Sequence, residues 1–214
     1  PAVVIAIEGT FQGGSMGEVS GAKMAAALEL AAEDNRNGIP TQAVLCLETG
    51  GVRLQEANLG LAAIADIHAA IVDRRRYTPV VGIITGTVGC FGGMSIAAAL
   101  CSYLIVTREA RLGLNGPQVI EQEAGIEEYD SRNRPFIWSM TGGEIRAASG
   151  LVDALVNDGV NAVKTAMNEA IAKGVPVQHR SDNYDDYLRR LSQFDTRQQA
   201  DTAQIKQLFA REEK

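Results

Sequence analysis

Two pairs of adjacent glycines, Gly50-Gly51 and Gly92-Gly93, have a type and spacing that could support chemistry. Each pair follows a short apolar run and precedes a segment of helical pattern, so we predict that each pair opens a helix. The first amides of a helix have no partner inside it and carry a partial positive charge. Two such turns facing one point would donate hydrogen bonds to a single oxygen and stabilise an oxyanion or enolate.

The same glycines also have a purely structural interpretation, in which they only allow strand and helix to pack closely. The residues alone leave both interpretations open. No Gly-Lys-Ser/Thr follows either pair, which excludes a phosphate-binding loop of that type. Neither pair lies within a Gly-x-Ser-x-Gly motif, which is the usual nucleophile elbow of a hydrolase.

The elements that position these turns alternate between strand and helix. The predicted strands are residues 2–7, 43–47, 80–84, 103–107 and 111–114, and the predicted helices are residues 20–34, 54–72, 94–100, 143–158 and 160–173. This alternation predicts an α/β protein with helix-covered sheets. His68 lies on the apolar stripe of the second helix together with Leu54, and we interpret it as a buried histidine with its hydrogen bonds satisfied.

Charge and composition exclude several classes of protein. The 214 residues carry a net charge of −6, whereas a nucleic-acid-binding protein needs a concentrated basic surface. Two short basic runs, residues 74–76 and 189–190, are interpreted as solvated helix faces. The sequence has no run of 18 apolar residues and no signal peptide, which predicts a cytoplasmic protein without a membrane partner.

The cysteines and the first residues lead to two further predictions. Cys46, Cys90 and Cys101 are odd in number, lie in apolar runs and show no Cys-x-x-Cys spacing, which predicts buried free thiols and no metal site. A strand-like run starts directly after Pro1 with no lead-in. We therefore expect the natural chain to extend further upstream.

Four segments resemble motifs of the biotin-linked acyl-CoA carboxyltransferases. They are residues 15–23 (SMGEVSGAK), 48–57 (ETGGVRLQEA), 91–95 (FGGMS) and 113–122 (GLNGPQVIEQ). The correspondence runs in order from about residue 13 to residue 156. Two stretches, residues 50–60 (GGVRLQEANLG) and 123–130 (EAGIEEYD), resemble most closely the β subunits of biotin-independent malonate decarboxylases.

This resemblance implies a crotonase-like (ClpP/crotonase) α/β fold of stacked β-sheets with surrounding helices. It implies a carboxyltransferase-type domain at residues 1–175, followed by a charged, helix-prone extension at residues 176–214. The implied activity is that of a carboxy-lyase, which decarboxylates malonyl-thioester on an acyl-carrier protein to acetyl-thioester. The resemblance also implies that an enolate is held in an oxyanion hole of backbone amides.

The resemblance places the site residues on the matching motifs. The implied catalytic amides are those of Gly50, Gly51, Val52, Gly92, Gly93 and Met94. The implied substrate-binding residues are Arg53, Gly116 and Pro117, although Arg53 could equally pair with a neighbouring acid. No proton donor is assigned: Glu56, Glu121 and Tyr129 are titratable and close to the motifs, but the two glutamates also fit structural roles.

The implied partners are a homologous γ-type subunit and the acyl-carrier protein. The phosphopantetheine-type group of that carrier would act as the substrate arm, with no cofactor bound by this chain, and the missing acid would lie on the second subunit. The rivals are a carboxyltransferase β subunit of an acyl-CoA carboxylase, a hydratase or isomerase of the same fold, and a non-catalytic scaffold. No four-cysteine zinc ribbon is present, in contrast to many carboxylase β subunits.

Overall fold

The computed structural model describes residues 1–195, 197 and 201–210, and a parallel five-stranded sheet lies at its centre. The strands are β1 Ala2–Ala6, β2 Gln42–Cys46, β3 Val80–Ile84, β4 Tyr103–Thr107 and β5 Ala154–Val156. They pair in sequence order, β1-β2-β3-β4-β5. The helices are α1 Glu18–Arg36, α2 Asn58–Arg74, α3 Gly93–Leu100, α4 Pro117–Ala124, α5 Arg134–Thr141, α6 Gly143–Ala148, α7 Val160–Ala172, α8 Tyr184–Leu191 and α9 Thr202–Leu208.

Helices cover both faces of the central strands. Alternate side chains of a strand point to opposite faces, so Leu45, Ile84 and Leu104 pack in the main core with α1, α2 and α3. Val81 and Ile105 point the other way and pack with α7. Burial on both faces explains why these strands are continuous apolar runs, as expected in a parallel sheet. The predicted α/β class is confirmed.

Beyond the carboxyl ends of β2 and β3, the chain forms a second layer of short pairings. Thr49 pairs with Cys90, and Cys90 pairs with Leu112, both in parallel. The strand predicted at residues 111–114 is wrong as a full strand, because only Arg111 and Leu112 form bridges there. This second layer is what brings the two glycine turns to the same end of the sheet.

One predicted helix is only half correct. Residues 143–158 contain α6 and then β5, which adds a fifth strand beside β4. The helix ends in a glycine turn at Gly150, where φ is +71°. The three residues of β5 are too few to show a strand period in the sequence, and their pairing with Ile105, Val106 and Thr107 decides their conformation.

The interpretation of residues 74–76 as a solvated face is wrong. Arg74 has no solvent exposure, and it donates hydrogen bonds to the carbonyl oxygens of Thr41 and Thr78. Arg75 is also buried and donates to the Leu100 carbonyl oxygen. Arg76 alone of the three is exposed, and Asp73 pairs with it. The run therefore joins elements of the fold and leaves little free positive charge.

The domain boundary at residue 175 stays a prediction, and so does the C-terminal extension at residues 176–214. Within that extension, residues 196, 198–200 and 211–214 lie outside the described part of the chain. The described portion packs on the domain before it. Arg180 donates to the carbonyl oxygens of Ala99 and Cys101, and Tyr187 donates to that of Gly150. In the described residues, no helix is both long and apolar enough to cross a membrane.

Candidate active site

The two glycine turns touch each other at Gly51 and Gly92. A Cβ atom built on Gly51 would lie 3.1 Å from the Phe91 carbonyl oxygen and 3.3 Å from the Gly92 Cα. A Cβ atom on Gly92 would lie 3.2 Å from the Gly51 Cα. The backbone φ angles are +108° at Gly51 and +61° at Gly92, a region that side chains disfavour. Glycine is thus needed at both positions for the turns to meet.

The prediction that both turns open helices holds only for the second turn. Gly92 precedes α3 directly, whereas α2 begins at Asn58, after a 3₁₀ turn at Leu54–Glu56. The cause is a tertiary pairing: Met16 and Val52 form a parallel bridge that keeps the chain after Gly51 extended. Only the second turn therefore gains the partial positive charge of a helix N-terminus.

Three of the six predicted amides already have acceptors inside the protein. Gly50 N donates to the Gly13 carbonyl oxygen at 2.8 Å, and Gly92 N donates to that of Leu114 at 2.7 Å. Gly51 N donates to Thr49 Oγ1 at 3.1 Å. These amides support the turns and are not available to a ligand.

The other three amides, those of Val52, Gly93 and Met94, donate to no atom of the described chain. Gly93 and Met94 lie in the first turn of α3, where amides have no partner within the helix. The Val52 nitrogen lies 3.8 Å from the Cβ position of Gly92, so free amides from both turns lie beside the same contact. The assignment of these amides as donors to one oxygen stays a prediction.

The carbonyl ends of the same peptide groups are held by hydrogen bonds. Met16 N donates to the Gly51 oxygen at 2.7 Å. Ser95 donates to the Gly92 oxygen from its amide at 3.0 Å and from its hydroxyl at 2.7 Å. This role of Ser95 was not predicted; the only local signal for it is a serine three residues after the turn glycine.

Arg53 pairs with a neighbouring acid, one of the two roles that its sequence context left open. Its Nη1 contacts Glu56 Oε1 at 2.8 Å, and its Nε and Nη2 donate to the hydroxyl and carbonyl oxygens of Ser15. With Val52, Gln12 and the 3₁₀ turn, these residues line an open depression of about 650 Å³. The role of Arg53 in substrate binding stays a prediction.

Glu56 holds the start of α1 in place. Its Oε2 accepts a hydrogen bond from Glu18 N at 2.6 Å, and this bond, together with Arg53, lowers the pKa of the Glu56 carboxyl. Glu121 has a similar role: it accepts from Ser131, which lowers its pKa. Both carboxyls therefore lack the proton at neutral pH that a proton donor would need.

Replacement of Glu56 by glutamine is expected to destabilise the fold in a pH-dependent way. Because the folded pKa is lowered, the carboxylate stabilises the native state above the unfolded value of 4.5, and this stability is lost as pH falls through the folded value. Urea unfolding should show the E56Q defect at pH 7 and a smaller one at about pH 3. The exposed Glu29, changed to glutamine, is the control; an E56Q defect of equal size at both pH values would contradict the assignment.

Tyr129 keeps its proton but lies inside the fold. Burial raises the pKa of its hydroxyl, and that oxygen contacts no hydrogen-bond partner among the described residues. Its ring packs edge-on against Phe136 at 5.1 Å. No contact joins this hydroxyl to the glycine turns, so its position does not make it the proton donor.

The remaining predicted residues lie at the start of α4. Gly116 precedes this helix and Pro117 is its first residue. They follow Leu114, whose carbonyl oxygen accepts the hydrogen bond of Gly92 N. A Cβ atom on Gly116 would meet no atom within 4 Å, so the surface here is open. The assignment of both residues to substrate binding stays a prediction.

Two of the three cysteines are buried, as predicted, and the third is only partly so. Cys90 and Cys101 are buried and Cys46 is half-buried, all as free thiols. Burial raises the pKa of the Cys101 thiol to about 12. Within the described ranges, no three histidine, cysteine or acidic side chains are grouped closely enough to hold a metal ion.

A parallel sheet, a second layer of short pairings and two touching glycine turns with free amides define a crotonase-like protein. The chain matches the family described as carboxyl transferase domain over residues 1–202 and belongs to that family. The resemblance inferred from the four motifs is thereby confirmed.

Among curated proteins, the chain is similar to the malonyl-S-ACP:biotin-protein carboxyltransferase MADC of Malonomonas rubra. The two are 39% identical over 183 residues, which are 81% of this chain and 58% of the relative. The chain thus spans less than two thirds of that relative's length.

Solved structures of higher identity come from Pseudomonas. A malonate decarboxylase hetero-tetramer in complex with malonate contains a chain with 70% identity and a TM-score of 0.93, covering 97% of this chain and 75% of that one. A chain of an MdcD-MdcE hetero-dimer of malonate decarboxylase has 68% identity and a TM-score of 0.82, and the match covers 90% of this chain and 80% of that one. A transcarboxylase 12S structure is more distant, with 27% identity and a TM-score of 0.64. That match covers 78% of this chain and 30% of the transcarboxylase chain.

Proposed function

We propose that this chain is a subunit of a biotin-independent malonate decarboxylase, a carboxy-lyase acting on malonyl-thioester carried by an acyl-carrier protein. The observation that carries the proposal is the set of free amides, Val52 on one side and Gly93 and Met94 on the other, beside the Gly51–Gly92 contact. The high identity to two malonate decarboxylase chains supports it.

The chemistry of decarboxylation fits such a site. The bond between the carboxylate carbon and the α-carbon breaks, CO₂ leaves, and the electron pair passes into an enolate whose negative charge lies on the thioester oxygen. Amides that meet this oxygen stabilise the transition state more than the substrate, which is the requirement for catalysis. One such donor contributes about 3 kcal/mol. A proton then adds to the α-carbon and gives the acetyl thioester.

The second subunit completes the proposal. A homologous γ-type subunit would supply the acid, since Glu56 and Glu121 are held unprotonated by their hydrogen bonds. The thioester would arrive on the phosphopantetheine-type arm of the carrier protein, with Arg53, Gly116 and Pro117 along its path. We place the reaction in the cytoplasm.

A direct assay tests the proposal. The purified chain, mixed with its partner subunit and malonyl-carrier protein, should release CO₂ and form acetyl-carrier protein without biotin. Avidin, which sequesters biotin, should have no effect. Absence of CO₂ release from the assembled complex would refute the proposal.

One specific observation favours a second candidate. The relative from Malonomonas rubra is named as a carboxyltransferase to a biotin protein. In that case the same enolate would form, but the carboxyl group would pass to biotin, as in the carboxyltransferase subunits of acyl-CoA carboxylases. Activity that requires a biotin protein and is abolished by avidin would select this candidate.

A further inference from the structure

We propose that His68 is a positioning residue, which orients the Met94 amide toward the reacting oxygen. This inference rests on the proposed function, because it assigns a support to one of the proposed oxyanion donors. The Nε2 atom of His68 lies 2.7 Å from the Gly93 carbonyl oxygen. His68 itself is half-buried in α2, and its ring contacts the second glycine turn.

The geometry of the peptide group links His68 to Met94. The Gly93 carbonyl and the Met94 amide belong to one planar trans peptide group, so their C=O and N–H bonds point in opposite directions. A hydrogen bond that fixes the carbonyl therefore also fixes the direction of the amide. Met94 N donates to no atom of the described chain, so hydrogen bonds restrain its direction only through the carbonyl end of its peptide group.

The turn needs such a restraint, because two adjacent glycines give the backbone wide freedom. Helix α2 holds Gly93 from two successive turns. Ile64 packs against its α-carbon, so that a Cβ atom there would lie 2.8 Å from Ile64 Cγ2, and His68, four residues later on the same face, holds its carbonyl. A well-packed helix outside the site thus sets the position of the first residue of α3.

The three free amides differ in how they are held. The Gly51 carbonyl, which shares a peptide group with the Val52 amide, accepts a hydrogen bond from Met16 N. The Gly92 carbonyl, which shares a peptide group with the Gly93 amide, accepts from Ser95 within α3 itself. The Gly93 carbonyl, which shares a peptide group with the Met94 amide, lies in the first turn of α3 and is bonded in addition by a side chain of another helix. That side chain can be replaced without a change in the backbone sequence of either turn, which makes the proposal testable.

The hydrogen bond also requires a proton on one particular nitrogen of the ring. A carbonyl oxygen only accepts, so the Nε2 atom must carry a proton, and the neutral ring must be the Nε2–H tautomer. This requirement can be checked on the wild-type chain alone. It does not depend on the substrate or on the reaction.

Two substitutions of His68 separate orientation from packing. Leucine removes the donor, whereas glutamine keeps an N–H group at nearly the same reach. With the complete two-subunit complex and malonyl-carrier protein, we expect H68L to lower kcat by about 10- to 100-fold with KM changed less than about threefold, because a misdirected donor is lost in the transition state. H68Q should recover kcat to within about fivefold of wild type.

The control is His179→Leu, the same change at the other histidine of the chain, which should leave kcat unchanged. A long-range ¹H–¹⁵N spectrum of the wild-type chain should show the Nε2–H tautomer at His68, and the Met94 amide resonance should move in H68L but return in H68Q. An Nδ1–H tautomer, or kcat of H68L equal to wild type, would overturn the proposal. If the complex releases no CO₂ at all, the proposed function fails while the spectra still decide the hydrogen bond.

Discussion

Replacement of Gly92 by valine is expected to lower the kcat of the assembled enzyme by about a thousandfold or more, since one lost oxyanion donor already costs about 10²–10³. A Cβ atom at this position would lie 3.2 Å from the Gly51 Cα and 3.8 Å from Val52 N, within the gap between the turns. The backbone there, with φ +61° and ψ −148°, is close to a region that only glycine adopts freely. The substitution would therefore both fill the gap and turn the Gly93 amide away.

The matched control for this prediction is Gly38→Val. Gly38 also has a positive φ, +82°, but a Cβ atom there would meet no atom within 4 Å. It places a valine at a positive φ without filling a site, so its kcat should stay near that of wild type. Size-exclusion chromatography should show that G92V still assembles with its partner. If the assembled G92V complex turned over normally, the oxyanion assignment would be lost and a scaffold role would gain support.

Replacement of Gly143 by alanine is expected to lower the free energy of unfolding by about 3 kcal/mol, the range for overpacking against an interior that cannot shift. Gly143 is buried at the start of α6. A Cβ atom there would lie 3.0 Å from the Thr107 carbonyl carbon and still closer to its oxygen. Both groups are backbone atoms at the end of β4, so no side chain can rotate to relieve the clash.

Thermal and urea unfolding measure this effect. For a chain of this length, a loss of about 3 kcal/mol corresponds to a decrease in Tm of roughly 6–12 °C. Gly116→Ala is the control, because a Cβ atom at Gly116 would meet no atom within 4 Å. A G143A loss below about 1 kcal/mol would show that α6 can move away from β4 more easily than the packing indicates.

The elements that were predicted correctly are those whose signal is local. The strands Val80–Ile84 and Tyr103–Thr107 are buried on both faces and read as unbroken apolar runs between turn residues. Helix α1 has a regular apolar stripe and extends two residues beyond the predicted range at each end. Leu54 has the same spacing as the stripe of α2 but is 80% exposed, because the chain there is held in a 3₁₀ turn before the helix starts.

The sequence by itself determined the class of fold, the family and the two glycine turns, because burial patterns and motifs are properties of neighbouring residues. The tertiary structure alone decided that Gly51 and Gly92 touch, and that three of the six candidate amides have no acceptor among the residues that the structure describes. Two of the three bonded amides have acceptors far along the chain, Gly13 for Gly50 and Leu114 for Gly92, and no local pattern encodes such pairings. The same reason explains why the burial of Arg74 was not predicted. One of the carbonyl oxygens that accept its hydrogen bonds, that of Thr41, lies more than thirty residues away in the chain.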